Sequence, residues 1–90
     1  MTLDHYVLDT LMADLVGHDR RPSAFLVYLL IEANTDNIAL SYAEMAERTG
    51  LSRRACQGAV AHLARRRLIS VTRRQGNEAG TIRPLRPWRR

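Results

Sequence analysis

The 90-residue sequence contains no lysine, a single cysteine, and no apolar run longer than the eight residues from Ala24 to Ile31. Each shortage excludes something. Cys56 has no second cysteine with which to close a disulfide, which suits a reducing compartment and leads to the expectation of a cytoplasmic protein. Eight apolar residues fall far short of the roughly 20 that span a bilayer, so no membrane segment is expected. The first residues are acidic where a secretory leader needs basic ones, so none is expected. His5, His18, His62 and Cys56 are scattered without ligand spacing, which argues against a metal site. The glycines at 76 and 80 follow a strand-like run and open no helix, so they do not form a phosphate-cradling loop. Ser41 and Ser52 stand where helices begin and are explained by capping, while Cys56 has no basic neighbour placed to activate it. No enzymatic activity and no cofactor is therefore expected, and the length fits one compact domain.

What is abundant is arginine, and its layout matters more than its number. All 14 basic residues are arginine and the net charge is +5. Residues 1–50 hold eight acids against three arginines, a net of −5, whereas residues 51–90 hold eleven arginines against Glu78 alone, a net of +10. A positive field confined to one half steers that half toward a polyanion, although a solvated basic face would carry the same charge.

Along the chain, Leu3, Val7, Leu8, Leu11, Leu15 and Val16 recur at three- and four-residue steps, predicting an amphipathic helix that ends near Gly17. Pro22 fits the first turn of a second helix, where its missing N–H costs nothing. From Ala24 to Ile31 that helix is apolar on every side, so neighbours should cover more than one face. Residues 34–37 read as a loop, and 38–40 are compatible with a short strand. Ser41 and Glu44 have the spacing of a capping box, opening a helix that Gly50 must end. Ser52 is a second N-cap, and the helix it starts should reach Arg67. Residues 68–74 alternate and are rich in β-branched side chains, predicting a strand; 75–80 form the turn, and 81–83 the returning strand.

A short helix, a break at Gly50 and a second capped helix give a helix-turn-helix. Met45, Leu51, Cys56, Val60 and Leu63 fall on a shared inward face. Ser52, Arg53, Arg54, Gln57, Gly58 and Ala61 face the other way, with Arg65 further along. An arginine and glutamine stripe with small residues between them is what a helix entering the DNA major groove requires, since bulk there would hold the backbone away from the bases.

The stretch from Leu40 to Ile69, LSYAEMAERTGLSRRACQGAVAHLARRRLI, resembles the winged helix-turn-helix of bacterial regulators, GntR- or MarR-like, and of plasmid or phage replication initiators. The residues Arg73-Arg74-Gln75-Gly76 and Gly80-Thr81-Ile82 are similar to a GntR-type wing. Cys56 replaces the usual valine or isoleucine, a conservative change for a buried site. The resemblance implies a mainly α fold with a small β-hairpin and an additional N-terminal helix: one domain over residues 1–85, with the helix-turn-helix at 41–67, the wing at 68–85 and a basic tail at 86–90. No ligand-sensing domain of the kind found in full-length GntR regulators is expected.

It also implies a partner, double-stranded DNA. Arg53, Arg54 and Gln57 become the expected base readers, with Ala61 and Arg65 on the same surface. Tyr42, Thr49 and Ser52 are expected at phosphates, and Arg73, Arg74, Gln75 and Arg83 place the wing on the backbone or in the minor groove. Arg66 and Arg67 are better read as closing the helix against its dipole. The tail is either a minor-groove arm or a disordered end whose Trp88 packs back on the core. Leu3, Val7, Leu11 and Leu15 suggest a homodimer through the first helix, or else packing of that helix on the second. The expected function is sequence-specific transcriptional regulation. A replication, partition or packaging factor, or a winged-helix protein-interaction module, are the alternatives.

Overall fold

The computed structural model describes residues 3–33, 41–72 and 81–88. The expected loop and short strand at 34–40, the wing residues Arg73, Arg74 and Gln75, and Arg89 and Arg90 lie outside them. Among the described residues the chain is mainly helical, with one two-stranded antiparallel sheet.

The first helix forms where the periodicity places it, but with wider turns: Val7–Leu11 and Ala13–His18 are both π-helical. Its backbone shows the i→i+5 bonds of that geometry, with the Asp19 N–H donating to the Asp14 carbonyl at 2.7 Å. Gly17 does not end it. The helix runs through Gly17 to His18, and the left-handed residue that turns the chain is Arg20, at φ 55°. Backbone bonds carry the turn past the glycine: the Asp19 N–H reaches the Asp14 carbonyl and the Arg21 N–H the Leu15 carbonyl, both at 2.7 Å.

Helix α1 (Pro22–Ala33) starts at the proline, as expected. It packs against the Ala13–His18 stretch, both following helices and the sheet, so it is the centre of the molecule. Ala24, Val27, Tyr28 and Ile31 are fully buried along it, while Leu26 remains 44% exposed, so one face is open after all. Val7, Leu11 and Leu15 are also buried, and the stripe that suggested a homodimer is covered within the chain itself. Burial of each such leucine is worth about 1.5–3 kcal/mol. The exposed apolar residues of the first helix are instead Tyr6, Leu8, Met12 and Val16.

Helix α2 (Tyr42–Thr49) and helix α3 (Arg53–Arg65) have the expected caps. The Ser41 hydroxyl accepts from the Glu44 N–H at 3.1 Å, and the Ser52 hydroxyl from the Ala55 N–H at 3.0 Å. In the first of these, Glu44 meets the serine hydroxyl rather than the serine N–H. Gly50 takes φ 80°, which the tight turn between the helices requires.

Helix α3 is shorter than its sequence predicts. It ends at Arg65, with Arg66 as its cap and Arg67 left-handed at φ 57°. The Arg67 N–H donates to the Ala64 carbonyl and the Leu68 N–H to the Leu63 carbonyl, both at 3.0 Å. That pair is a Schellman closure, and the two leucines it joins, Leu63 and Leu68, are both buried. Strand β1 (Ile69–Thr72) then pairs with β2 (Thr81–Pro84) in the register Ile69–Pro84, Ser70–Arg83 and Val71–Ile82. Pro84 sits at the end of the ladder, where the absent N–H removes no central bond.

The last described residues fold back. Trp88 stacks on Tyr6 with ring centroids 4.5 Å apart, and its indole N–H donates to the Asp4 carboxylate at 2.7 Å. Arg86 pairs with Glu32, whose side chain is only 2% exposed, at 2.7 Å. Of the two expectations for the tail, the packed end is the one seen through Trp88. No described helix is long and apolar enough to cross a membrane.

Candidate nucleic-acid interface

Helix α3 divides cleanly into two faces. Cys56, Ala59, Val60 and Leu63 are buried against α1 and α2, including the four-residue steps 56–60 and 59–63. At 3.6 residues per turn, the line opposite them is Arg54, Gly58, Ala61 and Arg65. Two arginines therefore bracket two of the smallest side chains. Arg54, Ala61 and Arg65 are exposed, as are Ser52, Arg53 and Gln57. The same geometry puts Arg53 beside the buried Val60 rather than at the crest, so Arg54 is the more central of the pair.

Gly58 interrupts the helix interior, where glycine is unfavourable by about 1 kcal/mol relative to alanine. A Cβ there would meet only one atom within 4 Å, the Arg21 Nη1, at 4.0 Å. The Arg21 side chain thus reaches α3 at Gly58. No local pattern in the sequence links positions 21 and 58.

The loop that delivers Arg21 is anchored by Asp19. This carboxylate, 7% exposed, accepts from the His18 Nδ1 at 2.9 Å and from the His62 Nε2 at 2.8 Å, so both ring atoms must carry their protons. Arg66 adds an ion pair at 3.3 Å. The hydrogen bond from His18, then that from His62, hold the Asp19 carboxyl below its ordinary value of 3.8, against the opposing effect of burial; the Arg66 charge adds to them. His62, a residue without expected role, is therefore a structural tie from α3 to the loop before α1. Arg66 stands at the end of α3 as its cap, with its guanidinium near the Asp19 carboxylate and, at 3.9 Å, that of Asp14.

The other expected positions divide. Thr49 is committed to the turn: its hydroxyl donates to the Met45 carbonyl at 2.6 Å and accepts from the Leu51 N–H at 3.2 Å. These bonds shape the bend between the two helices. Tyr42 is half-buried against the core, at the start of α2. Ser52 serves as a cap and stays exposed. Arg83 is exposed on β2 opposite Ser70, away from the buried Ile82. Arg73, Arg74 and Gln75 are outside the described residues.

Among the described residues, Arg20, Arg21, Arg53, Arg54, Arg65 and Arg83 have no carboxylate within ion-pair reach, whereas Arg66 and Arg86 do. No group of described histidine, cysteine or carboxylate side chains is arranged to hold a metal. Cys56 is fully buried. Comparison with known proteins returns no match, whether to family models, curated proteins or solved structures.

Proposed function

We propose that this chain is a winged-helix protein that binds double-stranded DNA, with α3 entering the major groove and the β1–β2 hairpin serving as its wing. The observation that carries the reading is the outward line of α3: unpaired Arg54 and Arg65 flank Gly58 and Ala61, opposite a fully buried face. Arginines without carboxylate partners keep their charge available for phosphates and guanines. Small residues between them let a helix backbone approach base edges. Arg54 reads bases from the crest of the helix, with Gln57 and Arg53 beside it. Tyr42 and Ser52 lie toward one phosphate backbone, and Arg83 extends the surface onto the hairpin. Sequence-specific regulation of transcription in the cytoplasm is the role that fits such a surface best.

The reading is tested by selecting bound sequences from a random duplex pool and titrating the winner. Enrichment of one motif, with Arg54→Ala relaxing the preference at one or two positions, is expected. Failure to bind any duplex at low salt refutes it, and binding of acidic proteins in its place identifies the surface as a protein-interaction face.

A further inference from the structure

We infer that Arg20 and Arg21 form a phosphate-binding element of this surface, one that flanks α3 on the side of Gly58 and is held in place by Asp19. The inference rests on the DNA-binding reading of α3 and adds residues that the helix-turn-helix does not contain.

Three independent features converge on this short segment. First, Arg20 occupies the left-handed region at φ 55°, a conformation that glycine or asparagine adopts more readily than arginine. Second, the Arg21 carbonyl accepts from the Ala24 N–H at 3.0 Å, which puts Arg21 at the start of α1, where a serine, threonine or asparagine would cap better. Local structure favours arginine at neither position, yet both hold one and both are exposed. Third, the Arg21 side chain reaches α3 at Gly58, with its Nη1 4.0 Å from where a Cβ would stand, so it flanks the line that runs from Arg54 to Arg65.

The position is fixed, because Asp19 joins this loop to α3 at both His62 and Arg66. The nearby carboxylates are already engaged: Asp19 by two histidines and Arg66, and Asp14 by Arg66 at 3.9 Å. They do not pair with Arg20 or Arg21. A guanidinium held beside a groove-facing helix, without a carboxylate of its own, fits a backbone phosphate of the duplex that the helix enters. Contacts of this kind add affinity without sequence preference.

The test uses three variants of the full chain on the selected duplex and on an unrelated one. Arg20→Gly removes the cation at a backbone position that glycine favours, so the fold is retained. Arg21→Gln removes the second cation, and Arg21→Lys restores the charge without the planar fork. Arg20→Gly and Arg21→Gln should each weaken binding about fivefold to tenfold at 0.1 M salt, equally on both duplexes, and reduce the slope of log K against log salt by about 0.9. Arg21→Lys should recover most of the slope. If the wild type binds duplex and these variants match it in affinity and slope, the inference is wrong while the reading of α3 stands. If they lose binding on the selected duplex alone, the two arginines read sequence and the phosphate assignment is wrong. If the wild type binds no duplex, the reading of α3 fails and this inference fails with it.

Discussion

Replacing Gly58 by alanine separates what the fold wants from what a groove-facing helix wants. Within the protein, the substitution is permitted: Gly58 is helical, and the added methyl would meet only the end of the flexible Arg21 side chain, at an ordinary contact distance of 4.0 Å. Alanine in a helix interior is favoured over glycine by roughly 0.5–1 kcal/mol. For a domain of this size, that corresponds to a rise in melting temperature of about 2–8 °C. The same methyl stands on the crest of α3 between Arg54 and Ala61, where it would separate the backbone from base edges. The variant should therefore be more stable in a thermal melt followed by circular dichroism, and bind the selected duplex at least about tenfold more weakly, a loss of about 1.4 kcal/mol. Equal or tighter DNA binding by Gly58→Ala would refute the close approach of α3. A lower melting temperature would instead show that residue 58 is not a simple helix-interior position.

Further outcomes follow from the same structure. Arg86→Ala leaves the Glu32 carboxylate buried without its partner and should destabilise the protein by about 3–5 kcal/mol in urea unfolding. Trp88→Ala removes the stack on Tyr6 and the bond to Asp4, and should lower stability by about 2–4 kcal/mol; in the wild type, fluorescence of this single tryptophan should follow release of the chain end during unfolding. Arg67→Gly relieves a left-handed arginine and should raise stability by roughly 0.5–1 kcal/mol, read as a higher urea midpoint. Asp19 is held below its ordinary value, so its contribution is fully present above pH 3.8 and is lost as pH falls through the lower folded value. Asp19→Ala should accordingly cost about 1–3 kcal/mol at pH 7 and flatten the acid limb of the stability profile measured by urea unfolding.

The parts of this structure that were legible in the sequence are local ones. Ser41 with Glu44, Gly50, Ser52 and Pro22 each act within a few residues, through a capping hydrogen bond, a positive φ or a missing N–H, so reading them needs no knowledge of the fold. The buried face of α3 was legible for the same reason: helical periodicity alone brings Cys56, Val60 and Leu63 together. What escaped the sequence depends on pairings across the chain. Arg86 with Glu32, Trp88 with Tyr6, and His62 with Asp19 join residues that no periodicity relates, and Arg21 over Gly58 is of the same kind. The end of α3 was missed more narrowly. Three successive arginines read as helical, and it is the closure of Leu68 onto Leu63 that drives Arg67 into a conformation arginine does not favour. Thr49 shows the opposite case: its hydroxyl looked available beside a helix N-terminus and is in fact engaged within the turn.

The central claim is that the surface built on α3 is a duplex-DNA surface, and a salt titration of the wild-type protein tests it most directly. Fluorescence anisotropy of a labelled duplex should report binding that weakens linearly on a log–log plot, with a slope of about −5 if five or six phosphates are contacted. Binding that is absent at low salt, or present with a slope near zero, would contradict the account.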